Sequence, residues 1–201
     1  MLKRRTFIIL ICFTSLYCAA QNRITEAGRE IGLFNYAKAI EILRGPALKS
    51  GKNATPETCL LLADCYRMVN DAANAKTWYK LALETGSMKQ GAAIYAEAWY
   101  HYAQALRSCG LYPEAKQAFL KYDSLVPGKQ SGRQFAGFCD SAMKWQPMNP
   151  LFTILNLKSV NSPQSEFGAV PCRQGVVFAS DRGGAKAAGK TYGWTGNSYL
   201  N

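Results

Sequence analysis

The sequence predicts a mainly α protein, an α-solenoid of stacked helix-turn-helix units followed by the opening strands of a second, unfinished β domain. Three features of its 201 residues lead to that reading. Small and aromatic residues repeat through the middle of the chain, the hydrophobic period changes after Trp145, and a leader sets the first twenty residues apart. Hydrophobic residues make up 48% and charged residues 18%. That composition is globular and excludes disordered and collagen-like chains.

The leader, residues 1–20, has the three parts of a secretory signal. Basic Lys3-Arg4-Arg5 precedes an apolar stretch from Phe7 to Leu16, and small residues close it at Cys18-Ala19-Ala20. Cleavage after Ala20 exposes Gln21. The apolar stretch is about half of the roughly 20 residues that span a bilayer, so removal is expected rather than anchoring. Lipidation at Cys18 is the alternative, but the bulky Tyr17 stands where a lipoprotein signal needs a small residue. Cleavage takes the formal charge from +11 to +8 and leaves five cysteines, Cys59, Cys65, Cys109, Cys139 and Cys172. An odd number cannot all pair, and no two make a C-x-x-C site, so they read as packing groups.

The repeat follows. From Pro56 to Glu84, Ala63, Tyr66, Ala75, Tyr79 and Ala82 occupy positions 8, 11, 20, 24 and 27 of a 34-residue unit. From Ala96 to Gly128, Trp99, Ala103, Gly110, Ala115, Phe119 and Pro127 occupy positions 4, 8, 15, 20, 24 and 32. Alanines at 8 and 20 let the two helices of a unit approach closely, and the aromatic at 24 fills the space beside them. Gly110 suits a left-handed turn closing the first helix, and Pro127 ends the second. This pattern resembles the tetratricopeptide family, and the resemblance covers a domain of residues 21–146. Phe34 to Ala39 reads as part of a weaker first copy with Ala39 at position 20, its second helix expected to break at Gly45-Pro46. Aligned on Ala39, Ala75 and Ala115, the copies lie 36 and 40 residues apart. Gln130 to Trp145, with Phe135, Phe138, Ala142 and Met143, reads as the capping helix that covers the last apolar face of an open array.

Tetratricopeptide arrays bind peptides along the first helices of their repeats. The resemblance therefore implies a peptide-binding groove of Leu60, Asp64, Arg67 and Met68 in the second repeat and Tyr100, Gln104 and Arg107 in the third. Arg67 and Arg107 fall at equivalent positions, and such a pair suits a carboxylate, acidic or C-terminal, on a partner. Asp64 is the competing occupant of that charge. His101, between Tyr100 and Tyr102, reads as a packing or solvated residue. No paired carboxylates, nucleophilic triad or metal cluster stands out, so neither an enzyme nor a cofactor or metal site is expected.

A linker with two prolines, residues 147–150, ends the helical pattern. Phe152, Ile154 and Leu157 then begin an extended segment, Gly175 to Ser180 is a β-branched and aromatic run, and Asp181-Arg182-Gly183-Gly184 supplies a turn. Asn161-Ser162, Glu166-Phe167, Pro171 and above all Phe178-Ala179-Ser180-Asp181-Arg182-Gly183 resemble the opening of the WD-like β-propeller of OmpA-family envelope proteins. The resemblance covers residues 151–201 and implies a structural role for Asp181 and Arg182. A propeller needs roughly four to eight blades, so a tetratricopeptide-type α-solenoid followed by the first strands of an incomplete β-propeller is expected, in a chain that continues past Asn201. Gly184 to Thr191 matches the G-x-x-x-x-G-K-[ST] phosphate loop, but Gly193 and Gly196 interrupt the helix such a loop must open, so no nucleotide is expected.

The charge divides into +3 over residues 21–128 and +5 over 129–201, without a run of like charges in the mature chain. Scattered lysines and arginines are a solvated surface, and no nucleic-acid partner is expected. The order of leader, repeats and propeller is similar to the amino-terminal part of OmpA-family envelope proteins, including PorE-like components of the type IX secretion system. That likeness implies a periplasmic, outer-membrane-associated scaffold whose partners are other envelope proteins. Peptidoglycan would be reached only through a domain missing from this chain. The alternative is a stand-alone exported tetratricopeptide adaptor.

Overall fold

The computed structural model describes residues 23–50, 55–85, 91–128, 131–146, 148, 152–182 and 191–199. The leader lies outside them, as does the linker apart from Met148. The described residues form helices α1 (residues 23–32), α2 (Tyr36–Ser50), α3 (Pro56–Met68), α4 (Ala72–Thr85), α5 (Ala92–Ser108), α6 (Tyr112–Leu125) and α7 (Ser131–Trp145), then strands β1 (Glu166–Cys172) and β2 (Gly175–Ser180). From α2 to α7 each helix packs on the next in sequence. That nearest-neighbour order is the mark of a solenoid.

Three helix pairs, α1/α2, α3/α4 and α5/α6, are built on one local plan. Phe34, Asn70 and Gly110 have φ of 60°, 62° and 74°, and each ends the first helix of its pair. In every turn the next residue's amide reaches back five residues: Asn35 to Glu30, Asp71 to Tyr66 and Leu111 to Leu106, at 2.9, 2.9 and 3.0 Å. The left-handed residue bonds three back, to Ile31, Arg67 and Arg107. These are Schellman closures, and they satisfy carbonyls that the helix end leaves open. A left-handed conformation costs a residue with a Cβ roughly 1–2 kcal/mol, which glycine escapes and asparagine partly recovers through local hydrogen bonding. Gly110→Ala is expected to lower stability by about 1–2 kcal/mol in urea unfolding, while Asn70→Gly leaves it unchanged or raises it.

The turns bring together the positions that the repeat predicts to be small. Ala27, Ala63 and Ala103 lie in the first helices and Ala39, Ala75 and Ala115 in the second, and all six are buried. Leu43, Tyr79 and Phe119 occupy the equivalent large position and are buried too. Two contiguous cores result, one from Ala27 to Ala82 with Ala105, the other around Phe119, Ala136 and Cys139.

Two expectations about helices need correction. α2 does not break at Gly45-Pro46 but runs on to Ser50. A proline removes one amide donor and crowds the preceding turn, yet buried Tyr36, Ala39 and Leu43 already hold the helix on the core ahead of it. In α7, Phe138 points away from the core and is half exposed, whereas Gly132, Ala136 and Cys139 form the buried stripe, with Phe135 stacked 5.2 Å from Phe119. Gly132 is needed there, because a Cβ would stand 2.7 Å from the Phe119 carbonyl oxygen.

β1 and β2 are antiparallel, pairing Glu166 with Ser180 and Cys172 with Gly175, with an irregularity between Phe167 and Val170 where Gly168 has φ 66°. Phe152, Ile154 and Leu157 form no strand. Among the described residues nothing pairs with that segment and all three side chains are exposed, so neither ladder bonds nor burial favours an extended ladder over solvation. A two-stranded sheet is therefore what the described β region contains, together with a bridge between Thr191 and Ser198.

Asp181 and Arg182 tie this region together. The Arg182 guanidinium pairs with Glu166 at 2.8 Å, donates to Ser162 Oγ at 3.1 Å and to the Val160 carbonyl, and lies over the Phe178 ring. The Ser162 hydroxyl and Arg182 hold the Glu166 carboxyl below the usual carboxylate range. Asp181 accepts from the Ser165 amide at 2.7 Å and the Asn197 side chain at 2.8 Å. Through that second bond it fastens the turn of residues 191–198.

The turn in its turn docks on the first repeat. Trp194 stacks on Phe34 with ring centroids 6.0 Å apart, meets Tyr36 edge-on at 4.8 Å, and donates its indole N–H to the Met68 carbonyl at 2.7 Å. Met68 ends α3, so its carbonyl has no partner within the helix. The Ala37 amide donates to the Gly193 carbonyl at 3.3 Å. Asn35, beside Gly193, is oriented by Glu30, whose buried carboxylate accepts from Asn35 and Lys38 at 3.0 Å each. Those two hydrogen bonds, Asn35 first, hold the Glu30 carboxyl below its usual range. Its stabilisation is therefore present above the ordinary carboxylate pKa and is lost as the pH falls through the lowered one. Glu30→Gln is expected to flatten the acid limb of the stability-pH curve.

Candidate peptide-binding groove

The first helices of the second and third pairs, α3 and α5, stand side by side and leave an open cleft of about 680 Å³. Because 3.6 residues make a turn, α3 turns Leu60, Leu61, Asp64 and Arg67 into it, and α5 turns Ile94, Glu97, Ala98 and His101. α3 is started by Thr55, whose hydroxyl accepts the Thr58 amide at 3.3 Å, with Pro56 at the first helical position. Leu60, Leu61, Ala98 and half-exposed Ile94 make the cleft apolar between its charged groups.

Those charged groups form one network. Tyr79, reaching in from α4, donates its hydroxyl to Asp64 Oδ1 at 2.5 Å, while Arg67 Nε donates to the Tyr79 oxygen at 3.2 Å and to Asp64 Oδ1 at 3.4 Å. Burial, with Asp64 adding to it, pushes the Tyr79 hydroxyl above the usual phenol range. It stays protonated and acts as a donor. His101 stacks on Tyr79 at 6.1 Å and lies 3.6 Å from Glu97. Burial lowers the imidazole pKa and the Arg67 charge lowers it further, so His101 is neutral near pH 7.

The structure divides the groove residues expected from the repeat. Leu60, Asp64 and Arg67 line the α3-α5 cleft. Met68 packs on the first core, and its carbonyl is taken by Trp194. Tyr100, Gln104 and Arg107 lie outside the cleft. Tyr100 packs against Phe119, Tyr122 and Phe135, Gln104 donates to the Tyr100 hydroxyl at 3.0 Å, and the Arg107 guanidinium sits 5.3 Å over the Phe135 ring. They hold the same places on α5 as Leu60, Asp64 and Arg67 on α3, but they face α7, whose Phe135 fills the corresponding space. The two arginines expected to act together thus have different neighbours: Arg67 Nε meets Asp64 and Tyr79, and the Arg107 guanidinium lies over an aromatic ring.

Tyr79, His101, Glu97 and Ile94 were not among the expected groove residues. Tyr79 was legible only as a packing residue, and His101 as a packing or solvated one. One signal was present for Tyr79: the other repeats carry Leu43 and Phe119 at its position, so its hydroxyl is extra chemistry at a packing site. The α5 residues carried no such mark, because the side of α5 that α3 leaves open depends on how the repeats stack.

Among the described residues the five cysteines are unpaired, with Cys59, Cys65 and Cys139 buried, Cys109 half-buried and Cys172 exposed. Burial pushes the Cys59 thiol up to about 11 and Cys65 up to about 12. A disulfide reagent at neutral pH is expected to modify Cys172 first and to reach Cys59 and Cys65 only on unfolding. Among the described residues no group of three or more His, Cys, Asp or Glu could hold a metal ion, and no helix is long and apolar enough to cross a membrane. Residues 183–190 of the phosphate-loop pattern lie outside the described residues. Thr191, which ends that pattern, bridges to Ser198 around a turn, and no helix opens there.

Residues 96–127, most of α5 and α6, match the family model of the tetratricopeptide repeat. The chain thus contains a tetratricopeptide repeat. No curated protein matches it. Among solved structures it is similar to MamA (22% identity, TM-score 0.44), covering 55% of this chain and 60% of that one. It is similar to the second tetratricopeptide domain of human RPAP3, solved in complex with the HSP70 peptide SGPTIEEVD (22% identity, TM-score 0.48), covering 61% of this chain and 98% of that one. It is also similar to the Sgt2 tetratricopeptide domain of Aspergillus fumigatus (16% identity, TM-score 0.47), covering 70% and 91%. The chain spans 60% of the length of the MamA chain it matches.

Proposed function

We propose that this chain is a non-enzymatic protein-interaction scaffold that holds a segment of a partner protein in the α3-α5 groove. The observation that carries the reading is the cleft itself: an open, largely apolar channel between the first helices of consecutive repeats, with Ile94 56% exposed in it. An exposed apolar side chain in a concave, polar-rimmed channel is what a docking surface presents. A photo-crosslinking residue at Ile94 is expected to give a discrete adduct mapping to one short partner segment, and one at Leu120 on the outer helix α6 is not. Equal adducts from both positions would overturn the assignment.

The setting belongs to the same proposal. The three-part leader of residues 1–20 and the order of repeats and β segment support an exported, periplasmic scaffold associated with the outer membrane, part of a secretion or peptidoglycan-anchoring assembly of the OmpA-family, PorE-like kind. Its partners are then other envelope proteins, and the β segment is the start of a propeller. The stand-alone adaptor would need only the helical array. Trp194, packed on Phe34 and Tyr36, favours a chain in which array and β segment work as one unit. Amino-terminal sequencing of the mature protein from fractionated cells tests the export step: Gln21 at the terminus in the periplasmic fraction supports it, and an intact Met1 in the cytoplasm overturns it.

A further inference from the structure

We infer that the segment held in the α3-α5 groove is cationic, a lysine or arginine side chain of the partner lying between Asp64 and Glu97 with its aliphatic stem against Leu60, Leu61 and Ile94. The inference rests on the groove reading and adds the partner's chemistry to it.

Charge carries it. Asp64 and Glu97 bring two carboxylates into the groove against the guanidinium of Arg67, whereas the whole chain is at +11. Arg67 is already held against the groove's own carboxylate, its Nε donating to Tyr79 and Asp64. Asp64 gives Oδ1 to both of them, and among the described residues Oδ2 accepts nothing. Glu97 is 73% exposed, and its ion-pair neighbour is His101 at 3.6 Å, an imidazole that burial keeps uncharged. Two carboxylates on opposite walls of an apolar channel thus have capacity for donors. A long basic side chain meets both needs at once, since its stem covers apolar surface while its head keeps polar partners. An acidic segment would bring a further carboxylate against these, and the guanidinium lining the cleft, Arg67, is already ion-paired with Asp64. The positive charge of the remaining surface does not reverse this, because salt screens exposed charges beyond about 8 Å. Groups in contact decide.

The test uses the full chain and an array of nonapeptides with apolar residues at alternating positions and Lys, Arg, Gln, Asp or Glu at the centre. Lys and Arg peptides are expected to retain the protein at least tenfold better than their Asp and Glu counterparts, with the preference shrinking in high salt. Glu97→Gln is expected to reduce that preference severalfold without altering the melting temperature, and Asp64→Asn with Glu97→Gln to abolish it. Glu84→Gln, on the exposed face of α4, is the charge-matched control and leaves it intact. A preference for Asp and Glu peptides, or equal retention at all five centres, overturns the cationic assignment while the groove stands. Retention of no peptide by the folded protein overturns the groove reading, and this inference with it.

Discussion

Phe119→Ala is expected to lower stability by about 3–5 kcal/mol, the range for removing a fully buried aromatic side chain. Phe119 is fully buried at the junction of three helices, with Tyr100 of α5 edge-on at 5.9 Å and Phe135 of α7 stacked at 5.2 Å. Its removal leaves a cavity under both rings and takes away the surface on which α7 rests. In a stack whose units touch only their neighbours the loss stays local. Hydrogen exchange should therefore accelerate in α5 to α7 and change little in α1 to α3. Arg107 should also be released, since the ring beneath it loses its support. Uniform acceleration along all seven described helices would mean that the array unfolds as one block and would overturn the two-core description.

The second large effect is expected where the β segment meets the helices. Trp194→Ala removes a ring stacked on Phe34 and packed on Tyr36 together with the bond to the Met68 carbonyl. Trp194 is half-buried, so the loss of docking is put at about 2–4 kcal/mol, under that of a fully buried ring. Gly193→Val reaches the same end by exclusion. A Cβ there would collide with Asn35 Oδ1, an atom whose side chain Glu30 holds in place. Either variant should open residues 191–198 to limited proteolysis and fast exchange while the helical circular dichroism stays. Trp194→Phe, which keeps an apolar ring and drops the N–H, should fall between. Unchanged protection of the turn in Trp194→Ala would show that the contact does not hold it. The detached state also leaves Phe34 in a left-handed conformation without the ring that covers it, so the first repeat should loosen next.

Much of the helical array was legible because its determinants are local. Ala63, Ala75, Ala103 and Ala115 mark the close helix contacts by size alone, and Gly110 marks a turn by its freedom at positive φ. The first repeat was only half visible. Its turn residue is Phe34 rather than glycine or asparagine, and a bulky residue at positive φ carries no sequence signal; the stacking of Trp194 upon it comes from a point 160 residues away. Pro46 misled for a related reason, since a helix breaker acts on the isolated helix and the buried anchors ahead of it act through the tertiary core.

The sequence by itself determined the repeat, its 36- and 40-residue offsets, the small residues at helix crossings and the change from helical to extended pattern. All of these depend on spacing along a single chain segment. Only the tertiary structure decided which faces stay open. The spacing of Leu60, Asp64 and Arg67 recurs in Tyr100, Gln104 and Arg107, but α7 fills the second space with Phe135 and leaves the first to Tyr79 and His101. The docking of Trp194 on Met68, across 126 residues, belongs to the same class. Periodicity places a side chain on a face of its own helix; what that face meets depends on the neighbours that packing brings to it.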